Sequence, residues 1–146
     1  MQMQLAEFVW LGFIIAVTLS AMIVKDIKIR LTSLLLPVAW ALSLTSTQII
    51  KERQAADLCV MTIDLALFIS LFAISIQQDR IPLLSATGFQ FCAIANHASH
   101  IMGFIDGGAY AVAQSIISFS VIISVLIAIL NDIYSHYSSF LRVINS

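Results

Sequence analysis

The sequence predicts an all-α fold: an integral membrane helical bundle with up-and-down topology. Three observations carry this reading. The 146 residues are 60% hydrophobic and only 10% charged, with a mean hydropathy of +1.00, whereas an ordinary soluble domain carries about 25% charged residues. The apolar residues gather into five segments, each close to the roughly 20 residues that cross a bilayer as a helix. The connectors between them are short and mostly charged, which favours sequential antiparallel neighbours. The whole chain, 1–146, reads as one domain. The lipid bilayer is the implied partner, together with other membrane subunits or further copies of the chain. A net charge of −1 offers no basic surface for nucleic acid.

The predicted spans are 5–24, 31–50, 58–76, 81–104 and 110–130. The first carries Glu7 near its start and Trp10 near the interface, and Lys25 to Arg30 form the connector that ends it. No positive n-region precedes this span and no small-residue cleavage site follows it, so it is expected to stay in the mature protein. The second is the least regular. Pro37 is expected to kink it, and its last part, Ser43 to Gln48, is polar, so it either spans or re-enters; if it does not span, four helices cross. The third is interrupted by one charge, Asp64. The turn Gln77-Gln78-Asp79-Arg80 follows, and Pro82 suits the first turn of the next helix. Asp106-Gly107-Gly108 is a turn signal before the fifth span. The tail 131–146, with Tyr134, His136, Tyr137, Phe140 and Arg142, is expected to lie along the interface as a separate amphipathic helix. Trp10, Tyr110, Tyr134 and Tyr137 read as interfacial aromatics.

The stretch Ile81–Phe104 organises the chain. It holds no Lys, Arg, Asp or Glu, yet carries Gln90, Asn96, His97 and His100. At about 100° per residue, Ala86, Gln90, Ala93, His97 and His100 share one stripe. Gly88, Cys92, Ala95, Ser99 and Gly103 form a ladder of small residues on the opposite side, which suits close packing against another helix. Both faces are therefore expected to be covered, which makes this the central helix.

Lys and Arg set the orientation. Five spans place Lys25, Lys28, Arg30, Arg80 and Arg142 on one side and Lys51 and Arg53 on the other. The richer side is expected to be cytoplasmic, with the N-terminus outside and the C-terminus inside. Asp64 then lies roughly 9 Å from the outer start of the third span, and His97 roughly 10 Å from the outer end of the fourth, at about 1.5 Å per residue. An ionised carboxylate in hydrocarbon faces the bundle interior and finds a partner, so Asp64 is expected to meet His97 or His100. Most other strong polar groups, among them Glu7, Asp57, Gln114, Ser115 and Ser118, fall in the same half.

Two readings of this cluster are open. Ser, Asn, Gln and His often join membrane helices without doing chemistry. An intramembrane ionisable residue, however, points to a ligand or proton site by default, here built on Asp64, His97 and His100 with Gln90, Asn96 and Glu7. The i, i+3 spacing of His97 and His100 would also let them share a metal ion with Asp64 as the third ligand. Haem between two histidines of one chain is disfavoured because both lie on one helix and His136 is expected near the other surface; a dimer would be needed. Cys59 and Cys92 make no metal motif, and their different depths argue against a disulfide.

At Asp64-Leu65-Ala66-Leu67, Asp79-Arg80, Pro82, Gly88-Phe89-Gln90, His97 and Ala109 to Gln114, the second half of the chain resembles a group of small, uncharacterised bacterial inner-membrane proteins. The resemblance implies a bacterial inner membrane and brings no activity with it. His100 stands outside the shared pattern.

There is no Ser-His-Asp sequence pattern, Gly-rich phosphate loop or HExxH, which leans away from an enzyme. The sequence therefore points first to an accessory or structural subunit, or a self-associating bundle. The alternative is a ligand, metal or proton site on Asp64, His97 and His100 in a small transporter or redox accessory protein.

Overall fold

The computed structural model describes residues 2–78 and 80–144, with side chains described over 12–78 and 80–138. Asp79 and the side chains of Glu7, Trp10, Phe140 and Arg142 lie outside the described set. The described residues form five helices and no strand: α1 (Gln2–Ile23), α2 (Ile27–Ile49), α3 (Arg53–Gln78), α4 (Ile81–Ile101) and α5 (Gly107–Ile144). Consecutive helices pack together, and α5 closes the ring by packing on both α1 and α2. One end of the bundle holds the α2–α3 and α4–α5 connectors. The other holds the α1–α2 and α3–α4 connectors.

Local chemistry sets each boundary. The Asp26 carboxylate accepts the Lys28 backbone N–H at 2.9 Å, so α2 starts at Ile27 and takes in Lys28 and Arg30, which the sequence reading left in a connector. The Arg30 guanidinium turns back and donates to the Val24 carbonyl at 2.7 Å, where the end of α1 lacks intrahelical donors. Pro37 sits inside α2, which runs unbroken to Ile49. The polar end of α2 satisfies itself: the Thr45, Ser46 and Thr47 hydroxyls donate to carbonyls of their own helix. Such back-bonding removes most of the cost of a hydroxyl in an apolar setting.

Helix α4 begins with Pro82 in its first turn and stops at Ile101 rather than running to Phe104. Gly103 adopts φ +76°. Its N–H reaches the His100 carbonyl at 3.0 Å, and the Phe104 N–H reaches the Ser99 carbonyl at 2.9 Å. This is a Schellman stop, which requires the left-handed conformation that glycine adopts at least cost. Asp106 caps α5, accepting from Gly108 N–H at 2.8 Å and Ala109 N–H at 2.9 Å. Helix α5 then continues for 38 residues. The expected separate tail helix is instead the far end of α5, because no glycine or proline interrupts the run after Gly108.

Three helices are long and apolar enough to cross a membrane: α2, α3 and α5 over Gly107–Ser138. Only Gly12–Ile23 of α1 is described with its side chains, and it is a shorter apolar segment. Helix α4 is not among the three, because its polar residues lower its hydropathy. It packs against α3 and α5 and against no other described helix, so it is a flank of the bundle and not its centre. A core of Val17, Val24, Ile29, Ala86, Val121, Ile122, Val125 and Ile129 fills the half nearer the α3–α4 connector. Large apolar side chains such as Leu19, Val38, Ile69 and Ile116 cover the outside.

Candidate functional site

The polar stripe of α4 turns inward, as a stripe with no comparable apolar partner must if its groups are to be satisfied. Gln90, Ala93 and His97 are buried, and His97 is 1% exposed. Its Nε2 lies 2.9 Å from Asp64 Oδ2 on α3. Its Nδ1 lies 2.9 Å from the Tyr110 hydroxyl on α5. A carboxylate only accepts, so in the neutral ring Nε2 carries the proton and Nδ1 accepts from Tyr110. The result is a Tyr–His–Asp chain across three helices.

Four amide contacts brace this chain. Gln114 Nε2 donates to the same Asp64 Oδ2 at 3.4 Å, and Gln114 Oε1 accepts from Asn96 Nδ2 at 3.0 Å. Asn96 also donates to the Tyr110 carbonyl at 3.2 Å, and Gln90 Nε2 donates to the Asp64 carbonyl at 3.3 Å. Gln90 and Asn96 thus join the pair that the sequence reading placed with them.

A cavity of about 270 Å³ opens beside the chain. Its polar lining includes Asp64, Gln90, His97, Tyr110, Gln114 and Ser118. Its apolar lining includes Ile14, Val17, Leu36, Trp40, Val121 and Ile122. All five helices contribute. The volume sits near the lower bound of roughly 300 Å³ for small-molecule pockets, and the mixture of apolar wall and few polar groups is typical of them.

His100 does not join the cavity. Its Nε2 points to Asp57 Oδ2 at 3.9 Å, its Nδ1 approaches the Ile105 carbonyl at 3.3 Å, and its ring stacks on Tyr110 at 4.4 Å between centroids. The three-ligand metal site is therefore a correction. Both nitrogens of His97 are engaged, the Tyr110 ring stacks against His100, and no group of three His, Cys, Asp or Glu side chains among the described residues is placed to hold a metal ion. Cys59 and Cys92 are both free.

The small-residue ladder, expected to face a helix of this chain or of a partner, lies on the outside of the bundle. Gly88, Cys92 and Ala95 are exposed on the outside of the bundle, and an added Cβ at Gly88 would meet nothing within 4 Å. No described helix of this chain covers that face. Gly103 belongs to the helix stop, as its positive φ shows.

Sequence reasoning missed Tyr110 as a site residue. It read as an interfacial aromatic, although its place in the first turn of α5 puts it at the level of the last turns of α4. A second cluster was also missed. At the opposite end, Arg80 bridges Asp26 Oδ2 and Asp132 Oδ1, each at 3.3 Å, and Gln78 Nε2 donates to Asp26 Oδ2 at 2.8 Å. Asp132 is 4% exposed, and its signal in the sequence was a single acid seven residues after the core position Val125. Outside the apolar segments, Asp106 has its carboxyl held below the usual range by the Ala109 and Gly108 backbone N–H groups.

No protein-family model, curated protein or solved structure matches this chain.

Proposed function

We propose that this chain is a five-span bundle of a bacterial inner membrane, N-terminus outside and C-terminus inside, which binds a small ligand in its interhelical cavity. One observation carries the ligand reading: the Asp64–His97–Tyr110 chain borders a cavity to which every helix contributes. Polar glue needs no adjoining space. A hydrogen-bonded acid and base lining a mostly apolar cavity are suited to holding one polar end of a small molecule. The five-span topology draws support from the exposed apolar belt on the outside and from the burial of α4's polar stripe between α3 and α5.

The test is native mass spectrometry of protein extracted in mild detergent, comparing the parent with Ser118→Trp, which fills the cavity. A small molecule retained by the parent and lost from the variant is expected. An empty parent, with no compound of a broad amphiphile set raising its melting temperature, would remove the ligand reading.

The outward ladder favours a second reading, the accessory subunit or self-associating bundle. Gly88, Cys92, Ala95 and Ser99 leave a shallow face on which another membrane helix can approach closely. A pull-down from native membranes, with sizing of what elutes, tests it; a monodisperse monomer that recovers no partner counts against it.

A further inference from the structure

We propose that the cavity takes a small organic cation with an apolar body, and that its binding expels a proton from the Asp64–His97 pair. This rests on the ligand-cavity reading above and names the class of ligand and the ion it exchanges with.

Among the described residues, the one carboxyl group on the cavity wall, which carries a full negative charge when ionised, is that of Asp64. Gln114 and Gln90 each direct one amide N–H to Asp64, at Oδ2 and at the backbone carbonyl. The His97 Nε2–H is spent on Asp64 as well, and the Ser115 hydroxyl donates to the Ala111 carbonyl. The hydrogen bonds that Asp64's carboxylate makes among the described residues converge on Oδ2, while the side chain, 14% exposed, lines the cavity. Its Oδ1 is thus available to a guest, as is a lone pair on Ser115 Oγ. No Lys or Arg among the described residues lines the space. Trp40 and Tyr110 border it and present aromatic groups, which attract cations. An anion would meet a carboxylate with no counter-charge. A neutral guest would leave that carboxylate uncompensated.

Charge balance then couples the guest to a proton. With His97 neutral and Asp64 ionised, the site holds one net negative charge in an apolar setting, which is costly. A proton on His97 Nδ1 cancels it. The Tyr110 hydroxyl tolerates either state, since it can donate to a bare Nδ1 or accept from Nδ1–H. A cation in the cavity cancels the same charge, so the guest and the Nδ1 proton compete. The proton leaves Nδ1, and Tyr110 turns from acceptor to donor. The other ionisable groups around the pair are Asp57 on α3, His100 on α4, and Arg53, whose guanidinium lies at Gly107. Among the described residues, helices α1 and α2 bring none to the cavity.

The experiment is calorimetry on the full chain in lipid nanodiscs with two soluble probes, benzyltrimethylammonium and neutral benzyl alcohol. Each titration is run in phosphate and in Tris, whose different ionisation enthalpies count the protons released. Benzyltrimethylammonium is expected to bind with release of up to about one proton, its affinity rising with pH by up to about tenfold per unit wherever the empty pair holds that proton. Asp64→Asn should abolish cation binding. Tyr110→Phe should keep it but release less proton, because the protonated ring loses its acceptor. Cation binding with no proton released overturns the exchange. Binding of benzyl alcohol alone, or equally tight binding of both, overturns the cation assignment and leaves the ligand cavity standing. Binding of neither probe overturns this inference, and the mass spectrometry above then decides separately whether any ligand is held. If Asp64→Asn does not fold, the two-buffer comparison on the parent decides by itself.

Discussion

Asp64 and His97 stand 33 positions apart in the chain and meet at 2.9 Å, the carboxylate on α3 and the ring on α4. The pair is nearly closed to the outside, with the two side chains 14% and 1% exposed. Breaking a buried pair by removing one partner costs about 3–5 kcal/mol, whereas replacing both with apolar residues is often close to neutral. His97→Leu should therefore lower stability by an amount in that range, less whatever Asp64 recovers by taking up a proton. The Asp64→Leu, His97→Leu double variant should regain part of the loss. Denaturation in detergent of the parent, both single variants and the double variant checks this. Additive losses would show that the two groups do not depend on each other.

The helix stop at Gly103 gives a separate prediction. Its φ of +76° is costly for any residue with a Cβ, by about 1–3 kcal/mol for a bulky one. Gly103→Leu should destabilise the chain, and Gly103→Asn should do so less, because Asn tolerates this region better. A Cβ added at Gly88 meets no atom within 4 Å, so Gly88→Leu should not lower the melting temperature of the isolated chain. A loss of association in Gly88→Leu alone would mark the ladder as a surface for another helix.

At the far end, Arg80 holds Asp26 and Asp132 together. Arg80→Leu leaves the 4%-exposed Asp132 without its cation. Arg80 is itself 33% exposed, so the loss should fall below the 3–5 kcal/mol of a fully buried pair. Arg80→Lys should recover part of it, since the ammonium keeps the charge but not the two-armed geometry. Unfolding curves for the two variants that coincide would show that the bridge contributes by shape alone.

Asp106 makes stability depend on pH at the start of α5. Its folded value is lowered by the Ala109 and Gly108 N–H groups, so its contribution is present above the ordinary value of 3.8 and is lost as pH falls through the lowered folded value. Asp106→Asn keeps an acceptor for the cap and should differ from the parent at neutral pH but converge with it in strong acid. Amide exchange at Gly108 and Ala109 reads this locally.

The topology is checked by reporter fusions at both ends and in each connector. Opposite sides for the two termini, with the α2–α3 connector outside, are expected. Both termini on one side would remove the odd number of spans.

The sequence by itself determined the all-α class, the five apolar segments that become helices and the order of the polar groups along them, but not that the tail continues α5. Hydropathy marks each apolar segment, and the rise of about 1.5 Å per residue turns position into depth, so Asp64 could be matched to His97 across a connector. Capping chemistry was partly legible as well, in Pro82 and in the Asp106-Gly107-Gly108 turn. Rotation about each helix axis was not legible in the same way. Which face of α4 turns inward depends on what α3 and α5 offer it, and the competition between a polar stripe and a small-residue ladder was won by the stripe. Burying unsatisfied amides and imidazoles costs more than leaving Gly88 and Ala95 uncovered. The same is true of Tyr110 and Asp132. Their depths can be read from the chain, but only the packing of all five helices decided that one would complete the His97 chain and the other would close on Arg80.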